Sequence, residues 1–164
     1  MKKKIISPSQ LNPIVTELKK KGQKIVFTNG CFDLLHVGHV RYLQEARSSG
    51  DCLIIGLNSD RSVRLIKDPH RPLISEDQRA EVLAALECVD FIVLFDEADP
   101  SKLIEMIKPA VLVKGADWSL DKIIGADLVR TYGGAVRRVE LVPSISTSEI
   151  IQRILSRYCP GNRT

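Results

Sequence analysis

The sequence predicts a Rossmann-like α/β domain, a five-stranded parallel sheet with helices on both faces. Three observations predict it. Short apolar, β-branched runs alternate with amphipathic helical stretches along most of the chain. The segments joining them are short, which implies parallel strands linked by right-handed helical crossovers. A length of 164 residues with 44% hydrophobic content suits a single domain, 1–164, with a two-sided core.

After a polar opening, Asn12-Pro13 or Ser7-Pro8 starts a helix that ends at Gly22, because Asn or Ser caps free N–H groups and proline suits a first turn. Residues 1–23 thus form a helical extension to a core at 24–158. Lys24-Ile25-Val26-Phe27-Thr28 is the first strand. Residues 37–49 form a helix with Val37, Val40, Leu43 and Ala46 on one face, stopped by Gly50. The alternation continues with strand 52–57, helix 76–86, strand 90–95, helix 100–107 and strand 110–113. Helix 122–132 stops at Gly133-Gly134, strand 136–142 follows, and a last helix spans 147–157. Ser75-x-x-Gln78 and Ser146-x-x-Glu149 have capping-box spacing, and Asp99-Pro100 sets a cap before a first-turn proline.

No apolar run approaches the roughly 20 residues of a membrane helix, and Lys2 to Lys4 lead into no secretory apolar region. A cytoplasmic protein without a membrane partner is expected. Cysteines 31, 52, 88 and 159 lack Cys-x-x-Cys spacing, so reduced thiols and no structural zinc are expected. The net charge of +4 includes clusters at 19–21 and 137–138 but no long basic stripe. That balance suits a phosphorylated ligand as well as nucleic acid; no nucleic-acid partner is expected.

Ligands of such sheets bind beyond the carboxyl ends of the strands, where strand order reverses. The loops after the first, fourth and fifth strands therefore matter most. The polar, proline-rich Lys67-Asp68-Pro69-His70-Arg71-Pro72 is expected to project over that edge as a mobile flap. The turn after the first strand reads Thr28-Asn29-Gly30-Cys31-Phe32-Asp33-Leu34-Leu35-His36-Val37-Gly38-His39. Imidazoles three residues apart at a helix start share one side of the first turn, beside free N–H groups and the positive end of the dipole. Such a place attracts phosphate, and Gly38 leaves no side chain between the rings. A capping role or a bare metal pair explains less well why two of the chain's three histidines flank one glycine. The Gly-x-Gly-x-x-Gly fingerprint and the Walker P-loop are absent from the turn.

Other residues fit the same chemistry. Ser146, Thr147 and Ser148 open the last helix, where they can cap it and also hold phosphate oxygens. Lys67 and Arg71 are flap cations suited to attract a phosphorylated ligand. Asp33 orients the turn through backbone hydrogen bonds or positions a ligand. Cys31, among apolar neighbours, is a packing residue.

Thr28 to Asp33 with His36-Val37-Gly38-His39 resembles the cytidylyltransferase-like family of nucleotidyltransferases. Asn58-Ser59-Asp60, Arg71-Pro72-Leu73, Asp77-Gln78-Arg79, Val113-Lys114-Gly115-Ala116-Asp117-Trp118 and Ser146-Thr147-Ser148 fall in the family's order. Residues 24–154 are similar to the adenylyltransferases of heptose biosynthesis, through Lys114-Gly115-x-Asp117, Gly125-Ala126-Asp127 and Gly133-Gly134. The resemblance implies the HxGH nucleotidyltransferase fold. It also implies transfer of AMP from ATP to D-glycero-β-D-manno-heptose 1-phosphate, giving ADP-heptose and pyrophosphate for lipopolysaccharide core synthesis. Mg²⁺ would accompany the triphosphate, with no side chain assigned to it.

Catalytic roles are implied for His36, His39 and Lys114. Nucleotide contacts are implied for Thr28, Asn29, Gly30 and Phe32, and for Gly38 and Arg79. The same holds for Gly115, Asp117 and Trp118, and for Ser146, Thr147 and Ser148. Asp33, Lys67 and Arg71 fall to the acceptor sugar 1-phosphate. The competing functions are a cytidylyltransferase for glycerol 3-phosphate or a similar alcohol phosphate, and a non-catalytic nucleotide-binding module. Members of the family often form homodimers. The kinase domain that often precedes this module does not fit into residues 1–23, so a separate heptose kinase is the expected pathway partner.

The chain departs from its relatives in places. They carry glycine where Asp68 and Ser144 stand, and Gly-Gly-Asp-Tyr where this chain has Gly115-Ala116-Asp117-Trp118. A tryptophan at the Trp118 position is found in the glycerol-phosphate cytidylyltransferases. Their arginine before Gly-Ile-Ser-Thr is missing, with Leu141 and Val142 in its place.

Overall fold

The computed structural model describes residues 3–140 and 142–159, so residues 1, 2, 141 and 160–164 lie outside the described residues. Its strands are β1 (Ile5–Ile6), β2 (Ile25–Gly30), β3 (Cys52–Asn58), β4 (Phe91–Phe95), β5 (Val111–Gly115) and β6 (Ala135–Val139). They form one parallel sheet in the order β1-β4-β3-β2-β5-β6. The α/β architecture is the expected one, with an extra edge strand. Ile5 and Ile6 pair with Ile92 and Val93, a ladder too short for sequence periodicity to register.

β3 is buried along its whole length because it lies inside the sheet with both faces covered. Helices α1 (Pro8–Lys20), α5 (Ser101–Ile107) and α6 (Ala126–Thr131) contribute Leu11, Ile104 and Val129 to the core on one face. On the other face, α2 (Val37–Arg47) and α4 (Glu76–Ala84) set Leu43, Ala46, Ala80 and Leu83 against Val26, Leu53 and Ile55. The remaining helices are α3 (Asp60–Ile66) and α7 (Thr147–Tyr158).

Of the two possible starts for α1, the chain uses Ser7-Pro8. The Gln10 side chain accepts from the Ser7 N–H at 2.9 Å, and Pro13 lies within the helix. The single helix expected at 122–132 is instead a 3₁₀ turn, Leu120–Lys122, followed by α6. Gly125 separates them at φ +85°, and a Cβ there would lie 2.3 Å from Ile104 Cδ1, so only glycine fits.

The topology opens a crevice at the centre of the sheet. β2 pairs with β3 as far as Gly30 and Leu57, but with β5 only at Val26–Val111 and Phe27–Leu112. Beyond that point β2 and β5 part, at the place where strand order reverses. The Tyr42 hydroxyl, on α2, spans the gap: it donates to the Val113 carbonyl at 3.1 Å and takes the Thr28 hydroxyl at 2.7 Å.

Candidate active site

A cleft of about 620 Å³ lies over this parting, walled by the strand ends at Asn29, Gly30, Asn58, Lys114 and Gly115. Two helix N-termini converge on it. α2 begins at its N-cap His36, whose side chain makes no capping bond, and α7 begins at Ser146. The first N–H groups of each helix have no intrahelical acceptor, so both ends present donors and positive dipole to the same space. Ser146 caps α7 by accepting from the Glu149 N–H at 3.1 Å, and Thr147 and Ser148 line the cleft beside it.

The His36 and His39 rings stack at 3.9 Å between centroids, inclined by 24°. Phe32 meets His39 edge-on at 5.2 Å. Gly38 makes this stacking possible, because a Cβ there would sit 2.9 Å from His36 Cε1 and Nδ1. Both His36 nitrogens and His39 Nδ1 are buried without a hydrogen-bond partner. Unpaired buried polar atoms are costly, and three around one cleft mark a place that a polar ligand completes. Burial lowers the pKa of His39 to about 4, helped by neighbouring His36. Burial also lowers that of His36, with Glu149 opposing. The rings are therefore neutral near pH 7.

Across the parting, the Lys114 ammonium bonds the Asn29 side-chain carbonyl, so β5 and β2 are linked at the cleft floor. Burial lowers its pKa to about 8, while Asp117 and Cys31 oppose the shift. Asp117 and Trp118 follow on the cleft wall, with Trp118 48% exposed and free to flank a planar ring.

Residues 27–153 match the cytidylyltransferase-like family. The chain belongs to that family. It is a nucleotidyltransferase. The bifunctional protein HldE of Syntrophotalea carbinolica is 52% identical over 96% of this chain and 32% of that protein. HldE of Geobacter metallireducens is 56% identical over 94% of this chain and 32% of that protein. The chain thus spans about a third of the length of these relatives. A lipopolysaccharide core biosynthesis protein from Thermoplasma volcanium superposes with a TM-score of 0.60 at 30% identity, covering 74% of this chain and 98% of its own. A pantoate-β-alanine ligase from Francisella tularensis shares the fold, with a TM-score of 0.65 at 19% identity over 97% of this chain and 81% of its own.

In this nucleotidyltransferase most of the residues singled out in the sequence meet at one cleft. Asn29, Gly30, Phe32 and Gly38 line it with the histidines, and Lys67 and Arg71 line it from the crossover loop. Two residues sit differently from expectation, and for Asp33 the structure favours one of the two roles left open. Thr28 is fully buried beneath the cleft with its hydroxyl committed to Tyr42, so it offers no donor to a nucleotide. Arg79, expected at a phosphate-binding edge, is 2% exposed. Its guanidinium donates to the carbonyls of Ile74 and Cys31 and pairs with Asp60 at 2.7 Å, leaving no face for phosphate.

Asp33 borders the cleft, but its carboxylate is wholly buried. It takes Arg71 Nε at 2.5 Å and the N–H groups of Leu73 and Ile74 at 2.8 and 3.0 Å. Burial alone would raise its pKa, but these donors together hold it below the ordinary carboxylate range. A carboxylate so saturated orders the protein rather than a sugar. The same bonds tie down the far half of the loop expected to be a mobile flap. Burial pushes the Cys31 thiol pKa up, which suits its packing role.

Sequence reasoning missed Tyr42, Asn58, Ile123 and Ile145 on the cleft wall. Tyr42 had a signal: it lies three residues after His39, hence on the same helix face. Asn58 was marked only through the resemblance of Asn58-Ser59-Asp60; nothing local marks it, since its buried amide donates to Ser62 on a helix too short to show a periodic stripe.

Proposed function

We propose that the cleft binds ATP and heptose 1-phosphate and transfers AMP between them, giving ADP-heptose and pyrophosphate. The paired, partnerless imidazoles between two helix N-termini carry this reading, since neutral ring N–H groups and backbone amides are donors suited to a triphosphate. An oxygen of the sugar phosphate attacks the α-phosphorus, a new P–O bond forms, and the bond to the β-phosphate bridging oxygen breaks as pyrophosphate leaves. That nucleophile is already ionised near neutral pH, so positioning and charge stabilisation replace a general base. His36 and His39 donate to oxygens around the α-phosphorus, Lys114 adds a cation at the floor, and Ser146, Thr147 and Ser148 hold the departing phosphates. Arg71 and Lys67 attract the acceptor phosphate.

Among the described residues no three His, Cys, Asp or Glu side chains cluster as a metal cage. Mg²⁺ is the proposed companion of the triphosphate, where it would neutralise part of the charge. Similarity to the heptose adenylyltransferases through Lys114-Gly115-x-Asp117 favours ATP and a sugar 1-phosphate, and the HldE relatives and the core biosynthesis protein support it. Trp118 favours the second reading, CTP with glycerol 3-phosphate. A heptose kinase activity would supply the acceptor, and a homodimer is the proposed assembly. Among the described residues, no helix is long and apolar enough to cross a membrane.

Pyrophosphate release decides between these readings. The proposal expects release with Mg²⁺, ATP and heptose 1-phosphate, lost by two to three orders of magnitude in His36→Ala or His39→Ala, roughly the cost of one oxyanion donor. Release only from CTP with glycerol 3-phosphate would establish the second reading. Nucleotide binding without turnover on any acceptor would leave a binding module.

A further inference from the structure

We propose that Asp33 and Arg79 are positioning residues that bind the crossover between β3 and β4 to the catalytic turn, so that Arg71 is held facing the acceptor. This rests on the reading of the cleft as a nucleotidyltransferase site. Two side chains, each with 0% side-chain exposure, tie the same two segments together. From the catalytic turn, the Asp33 carboxylate receives Leu73 N–H, Ile74 N–H and Arg71 Nε. From α4, the Arg79 guanidinium grips the Cys31 carbonyl of that turn, the Ile74 carbonyl of the loop and the Asp60 carboxylate that opens α3. Asp60 closes the ring, because its N–H donates to Glu76 at the start of α4 at 2.6 Å. The stretch from Arg71 to Arg79 is thus fastened to the turn that leads to His36 at two points, Asp33 and Cys31, while the Asp60 end of the excursion is tied to α4.

The consequence falls on Arg71. Its side chain is 11% exposed, it lines the cleft, and only Nε is engaged by Asp33. A guanidinium has five donors in a rigid plane, so fixing Nε fixes the direction of the remaining Nη groups. Those groups are the part of Arg71 left to meet an anion. Asp33 therefore acts on the acceptor through Arg71, without touching it. A lysine at position 71 would supply the charge without the anchored plane.

The test uses the full chain. Steady-state kinetics with heptose 1-phosphate varied at saturating MgATP, and the reverse, are compared for wild type, Asp33→Asn, Arg71→Lys and the double variant. Amide hydrogen exchange follows the Leu73–Ile74 peptide, and circular dichroism verifies folding. In Asp33→Asn the acceptor KM is expected to rise about tenfold while the MgATP KM stays within about threefold, because only a charge-assisted bond on the acceptor side is lost. Leu73 and Ile74 lose exchange protection in the same variant. Arg71→Lys raises the acceptor KM similarly but keeps that protection, and the double variant is no worse than the worse single one.

Arg79→Lys, which keeps a cation but cannot reach three acceptors, is expected to expose the same amides. An unchanged acceptor KM in Asp33→Asn, equal rises for both substrates, or additive effects in the double variant would overturn the proposal. If wild type uses no sugar phosphate at all, the functional reading fails. The clamp is then judged by exchange alone, and undiminished protection in Asp33→Asn refutes it.

Discussion

Replacing Tyr42 by phenylalanine removes one oxygen from the place where the sheet opens. That oxygen joins β2 to β5 just beyond their last paired residues, Phe27 and Leu112. Its loss leaves the Thr28 hydroxyl, 0% exposed, and the Val113 carbonyl without this partner. Stranding a buried polar group costs about 1–3 kcal/mol. Two groups that relax partly together are expected to cost about 2 kcal/mol. In a domain of this size that lowers the thermal midpoint by about 4–8 °C. Urea unfolding followed by far-ultraviolet circular dichroism measures it, and the m-value should not change, since the exposed surface is the same. Thr28→Val removes one of the two bonds and should cost about half as much. A Tyr42→Phe protein within about 0.5 kcal/mol of wild type would refute the idea that this hydroxyl holds the parting strands.

Gly38→Ala would force a methyl group to 2.9 Å from the His36 ring and 3.3 Å from Ile145 Cγ2, so the rings must unstack; calorimetry should find MgATP affinity reduced with the fold intact, and unaltered affinity would contradict the geometry. The His39 pKa falls from 6.5 to about 4 on folding, so the unfolded chain binds the extra proton. Stability from the neutral ring is complete above pH 6.5 and drains away as pH falls toward 4, by about 3 kcal/mol in all. Urea midpoints at pH 7 and 4.5 should converge for wild type and His39→Gln at the lower pH, and parallel profiles would tell against it. Ser144 stands at φ +57°, where relatives carry glycine. Ser144→Gly should therefore raise stability by about 0.5–1 kcal/mol, and a lower melting temperature would show that the conformation carries no strain.

Much of this was written in local pattern. β-branched runs and capped amphipathic stretches marked the main strands and most helices, and the His-Val-Gly-His turn marked the cleft because two rare side chains flank a glycine where a helix must begin. What escaped was either short or long-range. Ile5–Ile6 is too brief for alternation, and α3 buries only Ser62 and Val63. Arg79 on an exposed-looking helix gives no sign that Asp60, the distant Cys31 carbonyl and the Ile74 carbonyl before its own helix enclose it, because the first two come from other segments. Asp33 reads as a turn former or a ligand contact, and nothing local shows that its partners are the backbone of a loop forty residues later.

The pairing of His36 and His39 with a polyphosphate is open to direct observation, because the chain has only three histidines. Side-chain ¹⁵N spectra would be recorded across a titration with Mg²⁺ and a non-hydrolysable ATP analogue, using His70 as internal reference. Resonances of both His36 and His39 should shift as the analogue binds, and their pKa values should rise toward neutrality as anionic oxygens accept from the rings. Saturation of the protein with both ring signals and both titration curves unmoved would contradict it.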